Sequence, residues 1–292
     1  MKQAVLFLVL AGCTTGLFTA VPEETGTIDV FFCDKVDCAQ VFAERAEHAS
    51  EIACAMYHAD RLFLGILEGK QSRMIVDEGH PWPGAVVESG NGLMHNKFCV
   101  FDGEFVLTGS WNPAQGMSIP NNVVFVQSRT LAAAYLAEFE EMYRGRFHGG
   151  RPNPGIVKLN GQLVEAYFCP EDQCQKKVLD ALRSAEKSIH FMTFAFTDDE
   201  IGDVLLEKKR TGVDVQGVFD PRKDKYSEYE KLKDVSVVAK VHHKVFIVDG
   251  STVITGSYNP SRNADERNDE NIIIIRDPAI ARQYENEFAR FI

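Results

Sequence analysis

The chain has 292 residues, 45% hydrophobic and 25% charged, an ordinary globular composition with enough length to bury one large core or two. Its net charge of −11 argues against a protein that simply coats DNA, because binding phosphates needs local positive charge. A basic cleft in an acidic body is left open.

Residues 1–20 read as an export signal outside the fold. Lys2 supplies a positive start, and residues 4–10 form an apolar run. That run is too short for a membrane span, which takes about 20 apolar residues. Leu10-Ala11-Gly12-Cys13 is similar to a bacterial lipoprotein box, in which Cys13 would be lipidated and become the new N-terminus. A plain export signal or an uncleaved anchor is the alternative. The expectation is an exported protein at the cell envelope or the extracellular face of the membrane, held by an N-terminal anchor.

Beyond the leader the elements alternate. The first half reads as a strand at 28–32, Cys33-x4-Cys38, a helix at 39–50, a strand at 51–57, a helix at 61–67 and a short strand at 73–76. The loop Gly79-His80-Pro81-Trp82-Pro83-Gly84 follows, a lid or a rigid turn. A hairpin from 95 to 108 and a helix at 131–143 close this half. The second half reads as a strand at 164–168, Cys169-x4-Cys174, a helix at 175–187, a strand at 188–196, a helix at 199–209, a strand at 213–219, a charged stretch at 222–233, a hairpin from 242 and a helix at 280–291.

The two halves carry the same order of elements, which implies an internal duplication. The fold class is therefore α/β, with two similar lobes, each a mixed sheet with helices on both faces, related by an approximate two-fold. The lobes are residues 21–148 and 162–292, joined by a linker at 149–161. Around it lie Arg144, Arg146, His148, Arg151 and Lys158, a solvated basic segment or the path of a phosphate-rich substrate. Seven cysteines fit an exported protein. Cys33 with Cys38 and Cys169 with Cys174 suggest a short disulfide at each strand–helix junction; four half-buried thiols or one zinc site are the alternatives. Cys54 and Cys99, in apolar runs, read as plain core residues.

One stretch occurs twice. Met94-His95-Asn96-Lys97-Phe98-Cys99-Val100-Phe101-Asp102-Gly103 is matched by Val241-His242-His243-Lys244-Val245-Phe246-Ile247-Val248-Asp249-Gly250. Each continues into a Thr-Gly-Ser-x-Asn-Pro turn holding Ser110 and Asn112, or Ser257 and Asn259. On a strand, His95 and Lys97 share a face, as do His242 and Lys244. Burying two lysines without an anion is costly. If the two-fold brings the strands together, two imidazoles, two ammoniums, two hydroxyls and two carboxamides cradle one phosphate. One imidazole can attack phosphorus while the other protonates the leaving alkoxide, and the lysines stabilise the phosphoryl oxygens. No ligand cluster at metal spacing accompanies the motifs, so the expected chemistry uses no metal and no cofactor.

The paired motifs and their Gly-Ser-x-Asn tails resemble the His-x-Lys-x4-Asp signatures of the phospholipase D superfamily, over about residues 27–292. The resemblance extends to the compact nuclease-like and cardiolipin-hydrolase-like branch. It implies a phosphohistidine intermediate with His95 as nucleophile and His242 as acid, then base. His95, Lys97, Asp102, His242, Lys244 and Asp249 carry over as the catalytic set, with Ser110, Asn112, Ser257, Asn259 and Glu270 around the substrate. Asp102 and Asp249, at odd parity in the turns, are expected to fix the hairpins or orient the imidazoles. Glu270 has no carboxylate counterpart in Pro120-Asn121-Asn122, which suits two histidines with different jobs. The expected substrate is DNA or RNA, with phospholipid head groups as the alternative and an inactive scaffold more remote. No obligate protein partner is evident.

Overall fold

A computed structural model describes residues 20–223 and 225–292. The first lobe runs β1 (Glu23–Glu24), β2 (Ile28–Phe32), α1 (Cys38–His48), β3 (Glu51–Met56), α2 (Arg61–Leu67), β4 (Gln71–Val76), β5 (Val86–Val87), β6 (Lys97–Phe101), β7 (Phe105–Gly109), β8 (Asn122–Gln127) and α3 (Arg129–Tyr143). The second runs β9 (Gly155–Leu159), β10 (Gln162–Cys169), α4 (Cys174–Arg183), β11 (Ser188–Thr193), α5 (Asp199–Arg210), β12 (Asp214–Phe219), α6 (Tyr229–Leu232), β13 (Ser236–Val238), β14 (Lys244–Val248), β15 (Thr252–Gly256), α7 (Arg262–Glu266), β16 (Glu270–Ile275) and α8 (Pro278–Phe288).

The duplication is visible in the strand order. One sheet is β2-β8-β7-β6-β3-β4-β5, and the other contains the same path, β10-β16-β15-β14-β11-β12-β13, with β9 and β1 added at its edge. In each, the strand bearing the His-x-Lys motif lies antiparallel to the strand after the first helix, pairing Met56 with Lys97 and Thr193 with Lys244. β4, expected to be short, is as long as β12.

Alternation along the buried strands builds three apolar layers. Ala53, Ala55, Phe98 and Val100 face inward and meet Val164, Ala166, Val245 and Ile247 of the other sheet through α3 and α8, which lie between the sheets. Ile52, Met56 and Phe101 face outward under α1 and α2, and Ile189, Phe191 and Phe246 lie under α4 and α5. Helices therefore cover both faces of both sheets, and the central layer fuses the lobes into one body. No described helix is long and apolar enough to cross a membrane.

Three disulfides cross-link the described residues. Cys33–Cys38 and Cys169–Cys174 are the two junction bridges expected, which removes the zinc and free-thiol alternatives. Cys54 and Cys99 are not plain core residues: they face each other on β3 and β6, with Cα atoms 4.1 Å apart, and form a third bridge. The linker also differs from expectation. Residues 155–159 are strand β9, part of the second lobe's sheet, and β1 from the first lobe pairs with it. Four of the five basic groups around it are paired, Arg146 with Glu141, Arg144 with Glu140, Lys158 with Glu23 and His148 with Glu88, and Arg151 bonds Glu141 through its backbone N–H. That pairing favours a solvated, neutralised segment over a phosphate path. Cys13 lies outside the described residues.

Candidate active site

Both His-x-Lys segments enter the site through the same local device. Just past β4 and β12 stand Asp77 and Asp220, both buried. Each accepts the backbone N–H of the residue before the motif histidine, Met94 at 3.1 Å and Val241 at 3.2 Å. The two segments then reach across the two-fold: His95 N donates to Asp269 O at 2.9 Å and His242 N to Pro120 O at 2.8 Å. Gly109 and Gly256 precede the serines at positive φ, where a Cβ would strike the carbonyls of Asn122 and Asn271. Only glycine fits that crossing.

His95, Lys97, His242 and Lys244 are all buried and meet where the lobes join. The His95 Nδ1–H donates to the Glu270 carboxylate of the other lobe, at 2.8 and 2.9 Å. The His242 Nδ1–H donates to Asn121 Oδ1 at 2.7 Å and to Ser110 O at 3.1 Å. Asn121 thus occupies the place matching Glu270, and the two imidazoles are held alike in geometry but not in charge. Each lysine Nζ donates to the carbonyl of its own histidine, 2.7 Å for Lys97 and 2.9 Å for Lys244.

The electrostatics follow from burial. Burial lowers both histidines well below the usual range, reinforced by the Lys97 and Lys244 ammoniums. It brings Lys97 down to about 7 against the pull of Glu270 and Asp77, and depresses Lys244 strongly. It pushes Glu270 up to about 8, opposed by the lysines. The buried lysines are therefore short of countercharge from the protein.

Other expected residues are relocated. Asp102 and Asp249 sit at the far end of β6 and β14 and do not belong to the reacting centre. Asp102 accepts Ser50 N and Glu51 N at 2.9 and 2.8 Å, and Asp249 accepts Lys187 N and Ser188 N at 2.7 and 2.9 Å, tying each hairpin to the start of β3 or β11. Ser110 and Ser257 are fully buried and hold the histidines' partners instead of lining the pocket: Ser110 Oγ donates to Asn121 Oδ1 at 3.3 Å, and Ser257 bonds Glu270. Glu270 is likewise a positioning residue, with no exposed surface. The Asn112 and Asn259 Oδ1 atoms have no protein partner, which leaves them available to a ligand.

Four features were missed in the sequence. Tyr57 and Phe194, at matching places after β3 and β11, flank the histidines with ring centroids 4.7 Å from His95 and 4.5 Å from His242. Gln115 Nε2 donates to His242 Nε2 at 3.3 Å. Asp77 and Asp220 were legible in principle, as an aspartate directly after the same strand in each half. Beneath the site, Thr108 donates to Asn271 at 2.6 Å and Asn122 to Thr255 at 2.9 Å, a repeated polar lock between lobes. Among the described residues one carboxylate trio, Glu138, Glu141 and Glu171, is close enough to share a metal ion, and it contains none of the His-Lys residues.

Residues 68–143 and 178–292 match the family described as cardiolipin synthase, PLD-like domain. The chain belongs to the phospholipase D superfamily. It is 33% identical over 145 residues to a phospholipase D of Rickettsia typhi, covering 46% of this chain and 71% of that protein. It is 31% identical over 167 residues to a mitochondrial cardiolipin hydrolase of Chlamydomonas reinhardtii, covering 46% and 74%. Among solved structures, a phosphatidylserine synthase from Haemophilus influenzae has a similar fold, with a TM-score of 0.69 at 13% identity over 93% of this chain and 88% of that one. The superfamily assignment makes the chain a phosphodiesterase.

Proposed function

We propose that this phosphodiesterase works without a metal, through a phosphohistidine on His95, and that its substrate is a nucleic acid strand. The observation that carries the division of labour is the unequal support of the imidazoles. Positive charge developing on His95, as its Nε2 bonds phosphorus, favours the ionised form of Glu270, whereas the Asn121 amide cannot ionise and leaves His242 freer to release a proton.

In the first step His95 Nε2 attacks phosphorus, the P–N bond forms and the P–O bond to the leaving group breaks. The bound phosphate supplies countercharge that lets His242 take up a second proton, on Nε2 in place of the Gln115 contact, and the leaving oxygen takes that proton. In the second step neutral His242 removes a proton from water, the oxygen attacks phosphorus and the P–N bond breaks. A phosphomonoester leaves, and both histidines return to their starting states. Lys97 and Lys244 compensate charge on the phosphoryl oxygens throughout.

Tyr57 and Phe194 beside the reacting centre, with His58 stacked on His80 at 3.8 Å next to Tyr57, support a base-stacking wall. One observation favours phospholipid instead: Leu93 and Met117 are exposed on the segments that carry His95 and Gln115. Hydrolysis in excess EDTA decides, with labelled single-stranded DNA and cardiolipin vesicles offered side by side. Cleavage of DNA by wild type and not by His95→Ala supports the nuclease; phosphatidic acid with intact DNA rejects it. We further propose an exported, lipid-anchored protein, on the Leu10–Cys13 pattern and the three disulfides, which persist in oxidising compartments. Cys13→Ser should release it from the membrane fraction, and unchanged association would reject the lipid anchor.

A further inference from the structure

The two mouths of the site are not equivalent. On each lobe an aspartate loop follows β4 or β12, and the second residue after the aspartate donates its backbone N–H back to it: Gly79 to Asp77 at 2.9 Å, Arg222 to Asp220 at 3.0 Å. Arg222 is therefore the two-fold counterpart of a glycine, and a cation stands on the His242 side alone.

This cation is fixed in place. Arg222 Nε donates to Asp220 Oδ1 at 2.8 Å, and the other oxygen of Asp220 holds the N–H of Val241 beside His242. The guanidinium lies 4.3 Å over the Phe194 ring, and Phe194 is the ring that borders His242. Asp220 is fully buried, while the Arg222 side chain stays 55% exposed. Its anchored edge faces protein and the rest of the fork faces solvent, ready for an anion.

In an in-line displacement the leaving group departs opposite the nucleophile. With His95 attacking, the leaving fragment extends past His242, over Phe194 and towards Arg222. We propose that Arg222, stacked on Phe194, is a subsite for a second phosphate carried by the leaving fragment, as in the next nucleotide of a strand. This assignment rests on the nuclease reading and deepens it. A fragment with a cationic leaving head group meets like charge there and is disfavoured.

The test uses a thymidine dinucleotide and the same dinucleotide with an added phosphate at its 5′ or at its 3′ end. Each variant's rate is divided by its own rate on bis(p-nitrophenyl) phosphate, so a general folding defect cancels. Wild type should prefer one of the two phosphorylated forms by about tenfold, one charge-assisted hydrogen bond. Arg222→Gln should lose that preference, and Arg222→Lys should keep part of it. No preference in wild type, or a preference that survives Arg222→Gln, overturns the subsite. If no dinucleotide is cleaved while bis(p-nitrophenyl) phosphate is, the nuclease reading falls and the subsite with it.

Discussion

Lys97 shows how one residue couples burial to function. Burial disfavours its ammonium, Glu270 and Asp77 compensate it only in part, and its pKa falls to about 7. A bound phosphate raises that value. The proton is therefore held in the bound state and lost in the empty one as pH rises past 7, and affinity must fall above that point. Vanadate or phosphate should bind about tenfold more weakly per pH unit above 7, with proton uptake seen by calorimetry in buffers of different ionisation enthalpy. Affinity that is flat from pH 6 to 9 would contradict this. Glu270 supports His95 in the same sense. Glu270→Gln keeps a hydrogen-bond acceptor and removes the charge, and should lower kcat on the order of 10²-fold. Asn121→Gln, which keeps the neutral acceptor, should cost less.

At the scale of elements, the Cys54–Cys99 bridge joins neighbouring strands that are 45 residues apart, and β6 begins with Lys97. The Cys33–Cys38 bridge closes a separation of only 5. Loop-closure entropy then assigns about 4 kcal/mol to the first and about 2 to the second. Replacing both members of each pair by alanine should lower stability to chemical denaturation in that order. An equal or reversed loss would show that the strand pair is held by packing alone. This contrast also marks what the sequence could reveal. The His-x-Lys hairpins, the repeated element order and the short Cys-x4-Cys bridges are local patterns, and each survives in the structure. Cys54 and Cys99 pair through sheet register, which no local pattern encodes. Gln115 reaches His242 from an irregular turn, and Tyr57 and Phe194 stand one residue beyond their strands, so periodicity gave no sign of them. The missing counterpart of Glu270 was legible, because the duplication supplied an internal reference at Asn121. Asp102 and Asp249, carried over with the catalytic set by their place in the motif, fix the hairpins, one of the two roles that their odd strand parity suggested.

The whole molecule is two lobes fused through one central layer, and that layer's rim is sensitive to acid. His243, between the catalytic His242 and Lys244, is fully buried with neither ring nitrogen bonded to a protein group, and burial lowers its pKa to about 3. Unfolded histidine takes its proton near 6.5, so the unfolded state binds a proton that the folded state refuses. The stability from His243 is complete above about pH 6.5 and is lost progressively as pH falls towards 3. The urea midpoint should drop across this window, and His243→Asn, the residue at the matching Asn96, should flatten the drop. The central claim is that the lobes build one site in which His95 alone becomes phosphorylated. It is tested most directly with a diester whose p-nitrophenolate leaves without help from an acid, using His242→Ala. In this variant the first step proceeds and the second stalls, so mass spectrometry after rapid quenching should find the phosphoryl group, still carrying its second ester, on the peptide containing His95. Phosphate on His242 in wild type, or turnover that persists in His95→Ala, would contradict the account.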